Sequence, residues 1–155
     1  EFACSDLAAC LNDLLPMTFR HRRRVAFSET DLTGGLHFAN LLRYFEEAEQ
    51  ALFRELGIPM LWRGDDGMSH GWPRVSAECE LLEPIQLADE LEIDVRVERV
   101  RHSSVQLRFE VFRAAQSIAR GGLRLAFIAA SRGQPMRAAA IPDEILKKLR
   151  ALENR

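Results

Sequence analysis

Asp31 stands three residues ahead of the pair Gly34-Gly35, and His37 follows immediately before a long amphipathic run. A helix start leaves backbone N–H groups without intrahelical partners and carries a partial positive charge. A carboxylate beside such a start can attack a carbonyl that the free N–H groups polarise, or activate water against it. Gly34 and Gly35 permit positive φ and let a bound group approach the backbone closely. Asp in this setting also serves as a helix N-cap or turn-former, and Thr33 can cap as well. A capping box would need Glu or Gln three residues after the cap, where Gly34 stands.

The rest of the chain offers fewer chemical groups. Most of Glu46, Glu47 and Glu49 read as solvated helix face, and none receives a role. The run Arg20-His21-Arg22-Arg23-Arg24 reads as a solvated face or a protected sheet edge. The four histidines are scattered and none pairs with a Cys at zinc spacing, so no metal site is expected. Cys4, Cys10 and Cys79 are odd in number and irregularly spaced, which predicts free thiols in a reducing cytoplasm. No phosphate loop, nucleophile elbow or dinucleotide fingerprint occurs, so phosphoryl transfer, serine-hydrolase and dinucleotide redox chemistry lack support.

The elements that must position Asp31 follow from periodicity. Residues 1–16 read as a short helix or loose arm ending at Pro16, ahead of one domain over 17–155. Residues 17–27 read as a strand with Phe19, Val25 and Phe27 on one face. Phe38, Leu41, Leu42, Phe45, Ala48, Leu52 and Leu56 recur at spacings of three and four, predicting a helix over 37–56. Gly57 stops it and Pro59 reinforces the stop. Residues 63–71, with three glycines and Asp65-Asp66, read as a flexible loop. The period then changes to two, giving strands over 74–83, 90–101, 104–114 and 117–130 of an antiparallel sheet with one covered face. Gly121-Gly122 predicts a bulge or a close backbone approach. Residues 142–152 read as a short amphipathic helix. These patterns give an α+β fold, an antiparallel sheet with a packed helix.

Bulk properties narrow the function classes. With 47% hydrophobic and 28% charged residues the 155-residue chain is of ordinary globular composition. A net charge of -2 argues against nucleic acid as partner. The apolar runs are too short to span a bilayer, and no signal peptide is visible at the N-terminus.

The segment carrying Phe27, Thr30, Asp31, Gly34 and Asn40 resembles the active-site signature of the 4-hydroxybenzoyl-CoA thioesterase-like branch of the hotdog superfamily. Glu80-x-x-x-Pro84-x-x-x-x-Asp89-x-Leu91 is similar to the turn between the family's second and third strands. The resemblance covers roughly residues 17–140 and implies a hotdog fold, an antiparallel sheet wrapped around one long central helix. It implies hydrolysis of an acyl-CoA or acyl-carrier-protein thioester without a cofactor. Asp31 would act as nucleophile or general base. The Phe38 amide would be the oxyanion donor, with the Phe38 ring as a packing element. His37 would position Asp31 or meet substrate; the family's His falls one residue later. Gly34, Gly35 and Asn40 would contact substrate. Arg101, Ser103 and Ser104 are similar to a turn that meets the pantetheine or phosphates of CoA from the partner subunit. A homodimer, or a tetramer built from it, is expected, since a single sheet leaves an edge exposed. The rival readings are a hotdog hydratase or dehydratase, whose Asp and His stand one residue closer together, and a non-catalytic acyl-CoA-binding module.

Overall fold

The computed structural model describes residues 18–131 and 133–153. The predicted arm over 1–16, with Cys4 and Cys10, lies outside them. The chain runs through β1 (Phe19–Arg24), a 3-10 turn (Phe27–Glu29), α1 (Ala39–Glu55), β2 (Leu61–Arg63), β3 (Ser69–Gly71), β4 (Arg74–Leu81) and β5 (Glu90–Val100). It continues through β6 (Ser104–Arg113), β7 (Gln116–Ala126), β8 (Ile128–Ala130), β9 (Arg137–Ala138) and α2 (Asp143–Ala151). Five strands form an antiparallel sheet in the order β1-β5-β6-β7-β4, and β2-β3-β8-β9 form a second sheet.

The alternation in the sequence becomes the two faces of the large sheet. Leu91, Ile93, Val95, Val97, Val105, Leu107, Phe109 and Val111 are buried under α1. The other face carries ion pairs, among them Arg20–Asp94 at 2.6 Å, Arg22–Glu92 at 2.9 Å and Arg120–Glu80 at 2.7 Å. The basic run on β1 is therefore an edge strand whose outward arginines meet acids of β5. Phe45 of α1 stacks on Phe109 with ring centroids 4.6 Å apart. This close seating needs Gly121, because a Cβ there would collide with the Phe45 ring and the Glu78 carbonyl oxygen. The predicted close approach is thus real, whereas the irregularity in the β6–β7 register falls elsewhere, between Val111 and Phe112.

Several expectations need correction. The helix begins at Ala39, leaving Phe38 as its N-cap, and it is not the whole helical layer: α2 buries Leu149 and contacts β5. The buried face of α1 is wider than the predicted stripe. Tyr44, Glu49 and Phe53 are buried as well, since at 100° per residue they flank the Leu41–Phe45–Ala48–Leu52 line. Phe27 lies in the 3-10 turn and is 79% exposed, not on a strand face. The expected loop over 63–71 is a hairpin of β2 and β3. The expected strand over 117–130 divides at Phe127. Its N–H leaves the large sheet to bond Ser103 O at 2.8 Å, and its ring packs on Trp72, Trp62 and His70 at 4.8, 5.5 and 5.7 Å. Aromatic packing under a second sheet fixed both segments, and no local turn residue announces it.

Candidate active site

Asp31 sits at the tip of a tight loop closed by the Thr30–Leu36 bridge. Its N–H donates to Gly35 O at 2.8 Å, and Gly34 N–H donates to Asp31 O at 3.0 Å. Gly34 takes φ +79°, a conformation that disfavours any side chain. The loop is sewn to the β4–β5 connection: Leu36 N–H donates to Ile85 O at 2.7 Å and Leu87 N–H to Gly34 O at 3.2 Å. Asp31 is not a helix cap, because α1 begins only at Ala39. It forms an Asx turn instead. One carboxylate oxygen accepts from the Thr33 hydroxyl at 2.6 Å and the Thr33 amide at 2.8 Å. The Thr33 hydroxyl, then the Thr33 and Gly35 amides, hold the Asp31 carboxyl below its ordinary value. The group is exposed and ionised at neutral pH.

The helix start lies at the other end of this loop. His37 N–H donates to Glu29 O at 2.9 Å, Ala39 N–H to His37 Nδ1 at 3.3 Å and Asn40 N–H to His37 O at 2.9 Å. Among the described residues the Phe38 amide has no acceptor. It is an open donor at the positive end of α1. The Phe38 ring, expected to pack, is 55% exposed. The His37 ring serves the Ala39 amide. Asn40 turns inward, and its Nδ2 donates to Glu29 O at 2.9 Å.

Glu29 escaped the sequence reading. Its carboxylate accepts from Arg23 Nη2 at 2.7 and 2.8 Å, from the Tyr44 hydroxyl at 2.7 Å and from Ala26 N–H at 2.8 Å. Burial pushes this carboxyl up, but the Ala26 amide, the Tyr44 hydroxyl and the Arg23 charge outweigh it and the net shift is downward. The same contact drives the Tyr44 hydroxyl above its ordinary range, with burial as the main cause. The available signal was Glu29 two residues before Asp31, with Tyr44 just off the apolar stripe.

Of the three helix glutamates, Glu49 is the one that is not on the solvated face. It is fully buried and paired with Arg74 of β4 at 2.9 and 3.1 Å, and Arg74 reaches Glu46 at 3.3 Å. Its place between Phe45 and Phe53 around the helix was the signal.

Arg101, Ser103 and Ser104 lie at the β5–β6 hairpin, where Arg101 N–H donates to Ser104 O at 2.8 Å. Arg101 and Ser104 join Arg99, Gln106 and Arg124 around a depression of about 80 Å³ with no acid in its lining. One chain does not bring this depression to Asp31. The Asp31 loop abuts the start of β5 and the hairpin follows its end, about 35 Å away along the strand.

A model of the thioesterase-like superfamily matches residues 25–149. A 1,4-dihydroxy-2-naphthoyl-CoA hydrolase from Synechococcus sp. (strain CC9605) is 31% identical over 133 residues, covering 83% of this chain and 87% of that protein. The crystal structure of a hypothetical protein from Aquifex aeolicus superposes with a TM-score of 0.74 at 29% identity, over 84% of this chain and 98% of that one. A 1,4-dihydroxy-2-naphthoyl-CoA thioesterase from Synechocystis shares the fold, with a TM-score of 0.75 at 20% identity over 90% of this chain and 100% of that one. Fold, loop and matched sequence agree, and the chain belongs to the thioesterase-like superfamily with the hotdog fold.

Proposed function

We propose that the chain hydrolyses an acyl-CoA thioester, with an aryl acyl group as the first class to test. The observation that carries this reading is an ionised, exposed Asp31 joined by one short loop to a helix start whose Phe38 amide is an open donor. The thioester carbonyl oxygen would accept from that amide, and Asp31 would either attack the carbonyl carbon, forming a mixed anhydride that water then hydrolyses to the acid, or deprotonate a water that attacks the carbonyl carbon as the C–S bond breaks. The thiolate of CoA leaves and is protonated. Relatives named as hydrolases of 1,4-dihydroxy-2-naphthoyl-CoA support an aromatic acyl group. The acid-free lining of Arg99, Arg101 and Arg124 supports CoA, with its several phosphates, over a carrier protein.

The separation between Asp31 and that lining calls for two subunits. β4 is an unpaired edge of the large sheet with Val75 51% exposed, a strand suited to pairing with its copy. A two-fold pairing along β4 sets the partner subunit's large sheet in the reverse direction. The Arg101 hairpin of one subunit would then lie at the rim that carries Asp31 of the other. His37 would face the bound thioester, and Gly34 and Gly35 would admit it. The free thiol of Cys79 suits a reducing cytoplasm.

The test is free-thiol release from a panel of aryl, medium-chain and polyketide-type CoA esters, with Asp31→Asn as control. At least one aryl ester should turn over. Asp31→Asn should lower kcat about a thousandfold while leaving binding intact. Absence of turnover across the panel, or near-normal kcat in a folded Asp31→Asn variant, would refute the proposal. Sedimentation showing an active monomer would refute its two-subunit part.

A further inference from the structure

Asp31 and the Phe38 amide depend on a spacing that neither residue sets. Each end of the loop between them is fastened to Glu29. At the incoming end, the Glu29 carboxylate gathers Ala26 of the chain entering the 3-10 turn, Arg23 of β1 and Tyr44 of α1. At the outgoing end, the Glu29 carbonyl oxygen accepts from His37 N–H, one residue before Phe38, and from Asn40 Nδ2 in the first turn of α1. Arg23 is itself pinned. Its guanidinium carbon lies 3.5 Å from the Tyr44 ring centroid, and its Nη1 donates to Glu47 Oε2 at 2.6 Å. The Arg23 side chain is 12% exposed and its Nε is buried without a partner, so the fork has little freedom to turn.

We propose that Glu29 is a positioning residue of the site, whose carboxylate and carbonyl together fix the distance between the Asp31 carboxylate and the Phe38 amide. The inference rests on the reading of Asp31 and Phe38 given above. Glu29 does not touch the reacting atoms. It holds one residue that supplies the attacking oxygen and another that supplies the oxyanion donor. Charge-assisted bonds to a partly buried carboxylate are among the stiffer noncovalent links. A displacement on the order of 1 Å between reacting groups costs about a hundredfold in rate. The Glu29 bonds act on the loop, not on the depression at the hairpin, so their loss should appear in kcat and leave KM alone.

The test uses Glu29→Gln, which keeps shape but loses the charge facing Arg23, and Tyr44→Phe, which removes one donor. Steady-state kinetics on the best CoA ester are paired with amide hydrogen exchange. In Glu29→Gln, kcat should fall about ten- to a hundredfold, with KM within about twofold. Tyr44→Phe should follow with a smaller loss, on the order of threefold. In both, exchange at Asp31, Gly34 and His37 should quicken about tenfold while the β5, β6 and β7 amides keep their protection. Unchanged kcat in the folded variants would overturn the proposal. So would exchange that quickens equally throughout the sheet, because that marks a general loss of stability. If the wild-type chain released no CoA at all, the catalytic reading would fail. The exchange pattern alone would then decide whether Glu29 holds the loop.

Discussion

Replacing Glu49 by Gln should change how stability depends on pH, and the structure sets both sign and size. Glu49 is 0% exposed, and burial raises its carboxyl from an ordinary 4.5 to about 7 against the pull of Arg74. The folded chain therefore keeps this proton to about pH 7, whereas the unfolded chain releases it near 4.5. Between those values the folded state binds more protons, so stability falls as pH rises. The contribution is fully present below the unfolded value and is lost as pH climbs through the folded one. The gap between 4.5 and about 7 corresponds to about 3 kcal/mol at full ionisation. Gln cannot ionise and feels none of this. The other titrating groups largely cancel when wild type and variant are subtracted. Urea unfolding of both proteins at one fixed protein concentration gives the difference. Between about pH 5 and pH 7.5, wild type should lose about 2 kcal/mol relative to Glu49→Gln. Parallel curves across that range would show that Glu49 is ionised throughout, and the argument from burial would be wrong.

The depressed Asp31 carboxyl predicts the acid limb of kcat/KM. The active form is ionised, so the rate should hold as pH falls and drop only below the ordinary Asp value of 3.8. Thr33→Val should move that limb upward, and a limb near neutrality would assign it to another group. Gly121→Ala should destabilise the fold by about 1–3 kcal/mol, because its Cβ would press on Phe45 and the Glu78 carbonyl. Gly122→Ala meets first the far end of the Arg108 side chain at 3.0 Å and then the Leu107 carbonyl oxygen at 3.2 Å, wider than the contacts at Gly121, and should cost less in thermal unfolding. Ala114 and Ala115 form the two-residue β6–β7 turn at φ +47° and +66°. The double substitution Ala114→Asn with Ala115→Gly should raise stability by about 1 kcal/mol or more; a loss in melting experiments would refute the strain argument.

Periodicity in the sequence determined β1, β5, β6 and most of β7, because one face of each turns to the core and the other to water; β4 was expected too, although only Cys79 of it is even half-buried. Residue types located the Asp31 loop, whose Asp and glycines form a local turn, whereas its bonds to Ile85 and Leu87 appear only in the folded chain. The Ala114-Ala115 turn carries no turn residue, yet the gap expected at 115–116 falls within one residue of it, because the strands on either side leave little chain between them. Tertiary structure decided what depends on contacts far apart in sequence. Arg74 lies 25 residues beyond Glu49, so its carboxylate looked like surface when read along the helix alone. Phe127 ends one strand and starts another because Trp62, His70 and Trp72 gather around it. Glu29 drew no reading from the sequence. Its role comes from Arg23 on a strand and Tyr44 on a helix, brought to one carboxylate only when those two elements pack. A charged side chain is legible in sequence by its type, but its energy is set by what surrounds it, and those surroundings exist only after the chain has folded.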